Sequence, residues 1–190
     1  MLKPNPQQSN KLHELIRKTF SNWGFSWGGL LDNRNGEWLL FLQLSLITAH
    51  LLPSWPSDKS TFSHWSNILV IPGIILFLLG AILALKAFIN LGTSLSPLPE
   101  PKIDSILKTR GSYKNCRHPL YQSILLSSLG VSLFYRSYLH VLLLLLLAIT
   151  LKSKAKREEQ GLKEIHPYYK DYMSKTIAMV PGIRFLDWRE

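Results

Sequence analysis

Ile68 to Leu91 reads Ile-Leu-Val-Ile-Pro-Gly-Ile-Ile-Leu-Phe-Leu-Leu-Gly-Ala-Ile-Leu-Ala-Leu-Lys-Ala-Phe-Ile-Asn-Leu, an apolar run broken by one charge, Lys86. A helix of about 20 apolar residues, rising about 1.5 Å each, crosses a bilayer, and this run is long enough to do so. Pro72, Gly73 and Gly80 inside it either kink the helix or let a neighbour approach closely, and Lys86 near its end can snorkel to the interface.

Three further apolar runs surround it. Trp38 to Leu52 spans 15 residues before Pro53, about 22 Å as a helix, and can just cross if its ends extend. Pro119 to Tyr135 and Tyr138 to Leu151 are separated only by Arg136 and Ser137, so they predict an antiparallel helical hairpin. The Pro/Ser-rich connection Ser54 to Asn67 carries Trp55 and Trp65, which suit one membrane interface, with Tyr135 and Tyr138 at the same side. The expected fold is all-α, a multi-pass helical membrane protein of about four transmembrane helices plus a cytoplasmic C-terminal amphipathic helix.

Composition agrees. In a chain of 190 residues, 46% hydrophobic against 18% charged points away from an ordinary soluble domain. The net charge of +10 is explained by orientation in a bilayer rather than by nucleic acid, since the basic residues cluster beside apolar segments and no nucleic-acid motif is present. Cys116 alone excludes an intrachain disulfide and a cysteine metal set, and the six histidines lack ligand spacing, so no metal is expected.

Residues 1–37 form a polar N-terminal segment with no visible secretory signal, and residues 38–190 form one membrane domain. Leu12, Leu15, Ile16 and Phe20 recur at helical spacing, which suits a short surface helix or a loose tail, and Trp27-Gly28-Gly29 is expected to break any helix there. Lys and Arg number five in residues 1–37, five in 92–118 and nine after Leu151, whereas the other two connections hold only Lys59 and Arg136. Four spans with both termini cytoplasmic satisfy the positive-inside rule at every loop and put the 92–118 loop on the same side as the basic tail.

That loop ends in Gly111-Ser-Tyr-Lys-Asn-Cys-Arg-His-Pro-Leu-Tyr121, where basic and aromatic groups crowd the edge of an apolar run. Pro119 fits the first turn of a helix, and it pushes His118 toward extended geometry. The helix start beside Arg117 makes either an anion site or a pair of interfacial anchors. Pro97, Pro99 and Pro101 stiffen the start of the same long connection.

After the fourth run, Leu151, Ala155, Glu158, Leu162 and Ile165 follow spacings of four, three, four and three, so Glu158 is expected to interrupt an inward-facing stripe of one helical face. Glu159 lies beside it, whereas Lys152, Lys154, Lys156 and Lys163 fall mostly on other faces. A carboxylate there either pairs with a nearby Lys or Arg or binds a cationic or polyhydroxyl ligand between this helix and the Arg117-His118 edge. Tyr169 and Tyr172, three apart, share a face and suit packing.

Leu91-Gly92, Ser96-Pro97, Pro99, Pro101, Gly111, Tyr113, Arg117-His118-Pro119 and Tyr121, continued by Arg157-Glu158-Glu159, Leu162, Tyr169, Tyr172 and Pro181-Gly182, resemble the isoprenylcysteine carboxyl methyltransferase family, whose core the membrane phospholipid N-methyltransferases share. The likeness runs over residues 91–182 and departs from the family pattern at Ser112, Cys116 and His166-Pro167. It implies S-adenosylmethionine bound on the cytoplasmic side without a glycine-rich nucleotide fold. Carried over by position, His118 and Tyr121 contact the cofactor, and Glu158 and Glu159 lie in the same pocket. With Tyr113 and Arg117 these are the candidate cofactor residues, and Arg117 is the candidate catalytic residue, holding either the cofactor's carboxylate or an acceptor carboxylate.

The expected activity is methyl transfer to a lipidic or prenylated acceptor entering sideways from the bilayer, with carboxyl methylation of the isoprenylcysteine type foremost. Two alternatives stand beside it. A membrane NADPH-dependent sterol or lipid reductase has a similar helical core, but no basic cluster dedicated to a 2'-phosphate is visible. A non-enzymatic scaffold or transporter would favour polar groups in mid-membrane, where the runs hold little besides Gln43.

Overall fold

The structure is a computed structural model that describes residues 27–55, 67–92, 96–100 and 107–189. Its helices are α1 (Trp27–Asp32), α2 (Glu37–Ala49), α3 (Val70–Leu91, entered through a 3-10 turn at Asn67–Leu69), α4 (Pro119–Tyr135), α5 (Tyr138–Ile165) and α6 (Tyr169–Lys175). Among the described residues the only pairing of extended chain is a single parallel bridge between Cys116 and Ile177. The all-α expectation therefore holds. The surface helix expected around Leu12 to Phe20 lies outside the described residues, as does Trp65.

Two helices, α3 and α5, are long and apolar enough to cross a membrane; α2 is apolar but has 13 residues, and α4 has 17. On α3 the outward residues are Ile71, Ile74, Ile75, Leu78, Ile82, Leu85 and Ile89, and on α5 they are Val141, Leu142, Leu145, Leu146 and Ile149. Apolar faces of this extent require an apolar surround.

Local sequence explains the boundaries. Pro119 opens α4 at its first turn, where its missing N–H has no intrahelical acceptor to lose. Arg136 closes α4 in the left-handed region (φ 50°) with its N–H on Ser132 O, and Ser137 is extended, so two residues reverse the chain into α5 as expected. One expectation fails. Trp27-Gly28-Gly29 does not break the chain but lies inside α1, which closes through Asn33 N–H on Gly29 O at 2.7 Å. Glycine costs a helix about 1 kcal/mol relative to alanine, so it weakens a helix without forbidding it.

Small residues set the α3–α4 contact. A Cβ on Gly73 would meet Gly130 O and Phe134 N at 2.8 Å, and one on Gly130 would meet Phe77 N at 2.5 Å, so the two backbones touch where no side chain fits. On the other side, Leu147, Leu151 and Ala155 of α5 form a buried line against Leu46 of α2, Tyr121 and Leu125 of α4, and Met179 and Leu186 of the C-terminal segment. At the hairpin end, His50 Nε2 lies 2.5 Å from Ser128 Oγ and His140 stacks on Tyr135, which ties α2, α4 and α5 together.

The opposite end is closed by loops. Gly36 (φ 77°) precedes α2, and the buried ring of Pro99 sits where its Cβ would be, 2.4 Å from Cγ. Arg157 of α5 reaches Glu100 at 3.0 Å and Arg34 O. Together these contacts fix residues 96–100 against the starts of α2 and the polar arm of α5.

Candidate functional site

The Arg-His-Pro edge is built by the chain doubling back on itself. Arg117 N–H donates to Ile177 O (2.9 Å) and His118 N–H to Ala178 O (3.0 Å), so residues 116–118 run beside 177–178. His118 is held with φ −122° and ψ 62° ahead of Pro119. Both residues are buried, at 4% and 5% exposure, which decides against lipid-facing anchors.

Two consecutive carboxylates meet this edge differently. Glu159 is saturated: Oε1 lies 2.9 Å from both Arg117 Nε and His118 Nε2, and Oε2 accepts from Trp188 Nε1 at 2.6 Å. Arg117 donates its remaining ends to Met173 O (2.7 Å) and Trp188 O. This is a buried ionic knot in which each residue has a charged or hydrogen-bonded partner, while Arg117 Nε, at ion-pair distance from Glu159, makes no hydrogen bond. Glu158 is one-third exposed, accepts one bond from Tyr121 Oη at 3.1 Å, and lies 3.6 Å from His118 Nδ1. The His118 ring stacks parallel on Tyr121 at 5.3 Å.

Glu158 borders a cavity of about 280 Å³ among α2, α3, α4, α5 and the 96–100 loop. Its lining includes apolar residues, Leu40, Leu44, Phe88, Leu91 and Leu120, and polar or aromatic ones, Tyr113, Arg117, His118, Tyr121, Lys154 and Glu158. The volume is near the lower end for small-molecule sites, which run from about 300 to 1,000 Å³.

Around the site, burial and then the charge of Glu158 raise the Tyr113 hydroxyl above its ordinary range, so it is a neutral phenol. Burial pushes the Cys116 thiol up to about 11, outweighing the backbone hydrogen bond at His118 and the Arg117 charge. Cys116 is thus a neutral packed thiol, donating to Ala178 O, and not a nucleophile. Tyr172 Oη donates to Tyr113 O, and Tyr169 is buried, in keeping with their packing role.

Five of the six candidate cofactor residues, Tyr113, Arg117, His118, Tyr121 and Glu158, line one cavity; Glu159 stands behind it. The inward stripe is corrected: Glu159 is the buried carboxylate and Glu158 is one-third exposed, while Lys154, grouped with lysines mostly on other faces, is 2% exposed, on the buried line with Leu147 and Leu151. Its spacing from Leu147 and Leu151, seven and three, carried that signal, but a lysine reads as solvent-facing by default. Trp188 had no signal, because it reaches Glu159 and Arg117 across 29 and 71 residues of chain. Gln43 was noted only as a polar group in a span; it accepts from Lys154 Nζ at 2.7 Å. No metal cluster forms among the described residues.

A family model described as phospholipid methyltransferase matches residues 68–169, which include α3, the Arg-His-Pro edge, α4 and the polar arm of α5. No curated protein and no solved structure matches the chain. A methyltransferase family also answers the reductase and scaffold alternatives. With more than half of its length matched, the chain belongs to the phospholipid methyltransferase family, within the isoprenylcysteine carboxyl methyltransferase-like superfamily, and is a membrane methyltransferase.

Proposed function

We propose that the protein transfers the methyl group of S-adenosylmethionine to a lipidic acceptor, in the cavity between α2, α4 and α5. The observation that carries this reading is a single cavity lined both by charged and aromatic groups and by apolar residues of α2 and α3. In this reading α2, α3, α4 and the first half of α5 are four spans with both termini cytoplasmic, and the cavity lies at the cytoplasmic surface; the basic loops support it.

S-adenosylmethionine supplies an electrophilic methyl group on a sulfonium, and in-line displacement asks the protein for alignment and exclusion of water rather than a nucleophile. Tyr121, Tyr113 and His118 give the cavity flat aromatic surfaces. Glu158, held by Tyr121, offers a carboxylate to amino or ribose groups. Arg117, paired with Glu159 and donating to Met173 O and Trp188 O, acts as a positioning residue that keeps His118 and Glu159 in place. Leu40, Leu44 and Phe88 admit the acceptor from the bilayer.

A prenylated cysteine carboxylate, which the residue resemblance implies, and a phospholipid amine, which the family description favours, differ in the attacking atom. Transfer of radiolabelled methyl groups from S-adenosylmethionine into membrane extracts, separated into protein, lipid and small-molecule fractions, tests the reading. Label in a lipid or prenylated fraction is expected. Label only in water-soluble products, or none, contradicts it.

A further inference from the structure

Lys154 is the one cation in this site that the family-based reading does not use. Its ammonium is buried, yet among the described residues no carboxylate oxygen lies within 4.0 Å of it. Its hydrogen bond goes to Gln43 Oε1 at 2.7 Å, a neutral acceptor that takes one of three N–H groups, and its Nζ lies 5.5 Å from the centre of the Tyr121 ring. A buried charge in such a setting is costly without an anion nearby. One helical turn away is Glu158, whose Cβ at this spacing sits about 5–6 Å from that of Lys154. Glu158 takes its hydrogen bond from a neutral partner, the Tyr121 hydroxyl, with His118 Nδ1 3.6 Å away. The charges of Lys154 and Glu158 act on one another without closing into an ion pair within 4.0 Å, and both residues line the same cavity.

We propose that Lys154 and Glu158 form a clamp for a zwitterion, with an oxyanion at Lys154 and an ammonium at Glu158. This rests on the reading of the cavity as the methyl-transfer site and adds to it a second residue that recognises an anion, beside Arg117, whose guanidinium is already paired with Glu159 and donates to Met173 O and Trp188 O. Two molecules of that reaction carry the required charges: the amino-acid end of S-adenosylmethionine and a phosphoethanolamine headgroup. The clamp treats them as one chemistry, and binding measurements separate them.

The test titrates the full-length, detergent-solubilised protein and its Lys154→Gln and Lys154→Arg variants with S-adenosylmethionine, with its decarboxylated form, and with O-phosphoethanolamine. If the clamp holds the cofactor, wild type binds S-adenosylmethionine at least tenfold more tightly than the decarboxylated form, Lys154→Gln removes that preference, and Lys154→Arg keeps most of it. If it holds the headgroup, Lys154→Gln weakens O-phosphoethanolamine at least tenfold and leaves both adenosyl ligands alone. The inference is overturned if Lys154→Gln weakens both adenosyl ligands equally or changes no ligand. Should Lys154→Gln not fold, wild type decides: no preference between the adenosyl ligands, together with no binding of O-phosphoethanolamine, overturns it. Failure of wild type to bind S-adenosylmethionine while it binds O-phosphoethanolamine would sink the cofactor reading and leave the clamp standing.

Discussion

Glu158 and Glu159 are neighbours in the chain and opposites in the fold. Glu159 is closed in by Arg117, His118 and Trp188, with both oxygens taken and 3% of its surface exposed. Glu158 is one-third exposed and borders a cavity with one protein hydrogen bond. The difference separates two jobs that look alike in a sequence. A carboxylate saturated by the protein holds the protein together, whereas a carboxylate with capacity to spare can hold something else.

The sharpest way to break that comparison is Glu159→Gln. Removing one partner of a buried ion pair leaves an uncompensated charge, here on Arg117, and costs about 3–5 kcal/mol. Urea or thermal unfolding in detergent should show this loss, and a variant as stable as wild type would mean that the knot is not structural. Next comes Trp188→Phe, which keeps an aromatic side chain, though a smaller one, and removes the N–H donor to Glu159 Oε2. A hydrogen bond to a charged group is worth about 1.5–3 kcal/mol, and the same unfolding measurement reads it.

Tyr121→Phe probes the open side. It removes the hydroxyl that orients Glu158 but leaves the ring on His118. Cofactor affinity should fall about tenfold or less, equivalent to about 1.4 kcal/mol, with the unfolding midpoint little changed. A larger loss of stability than of affinity would move Glu158 into the knot.

The smallest effect concerns the tail that delivers Trp188. Asp187 accepts from both Arg189 and the Ala178 N–H, and its carboxyl is held below the ordinary value, the Arg189 hydrogen bond being the main cause and outweighing burial. A depressed carboxyl contributes stability that is present above the unfolded pKa of about 3.9 and is lost as pH falls through the lower folded value. Asp187→Asn should therefore lower Tm slightly at pH 7 and converge with wild type near pH 3. A gap that widens on acidification would reverse the sign of this contribution.

Much of the fold was legible because it rests on local signals. Pro119 marked the start of α4, Arg136-Ser137 marked the hairpin, and Gly73 and Gly80 marked a close contact that the structure shows against α4. Trp27-Gly28-Gly29 misled because helix propensity is a weak prior that tertiary context overrides. In the site, the residue types and their helical spacing brought Arg117, His118, Tyr121 and Glu158 to one place. What spacing could not distribute was their work. The partners of Arg117 at Met173 and Trp188, and the burial of Lys154 against Gln43 of another helix, are contacts between distant parts of the chain, on which periodicity is silent.

The central claim is that Glu158 faces a cofactor and Glu159 does not. Calorimetric titration of detergent-solubilised wild type and Glu158→Gln with S-adenosylmethionine tests it most directly. The account predicts binding by wild type and at least tenfold weaker binding by a Glu158→Gln protein that keeps the wild-type unfolding midpoint. No binding by wild type, or equal affinity in the folded variant, would contradict it.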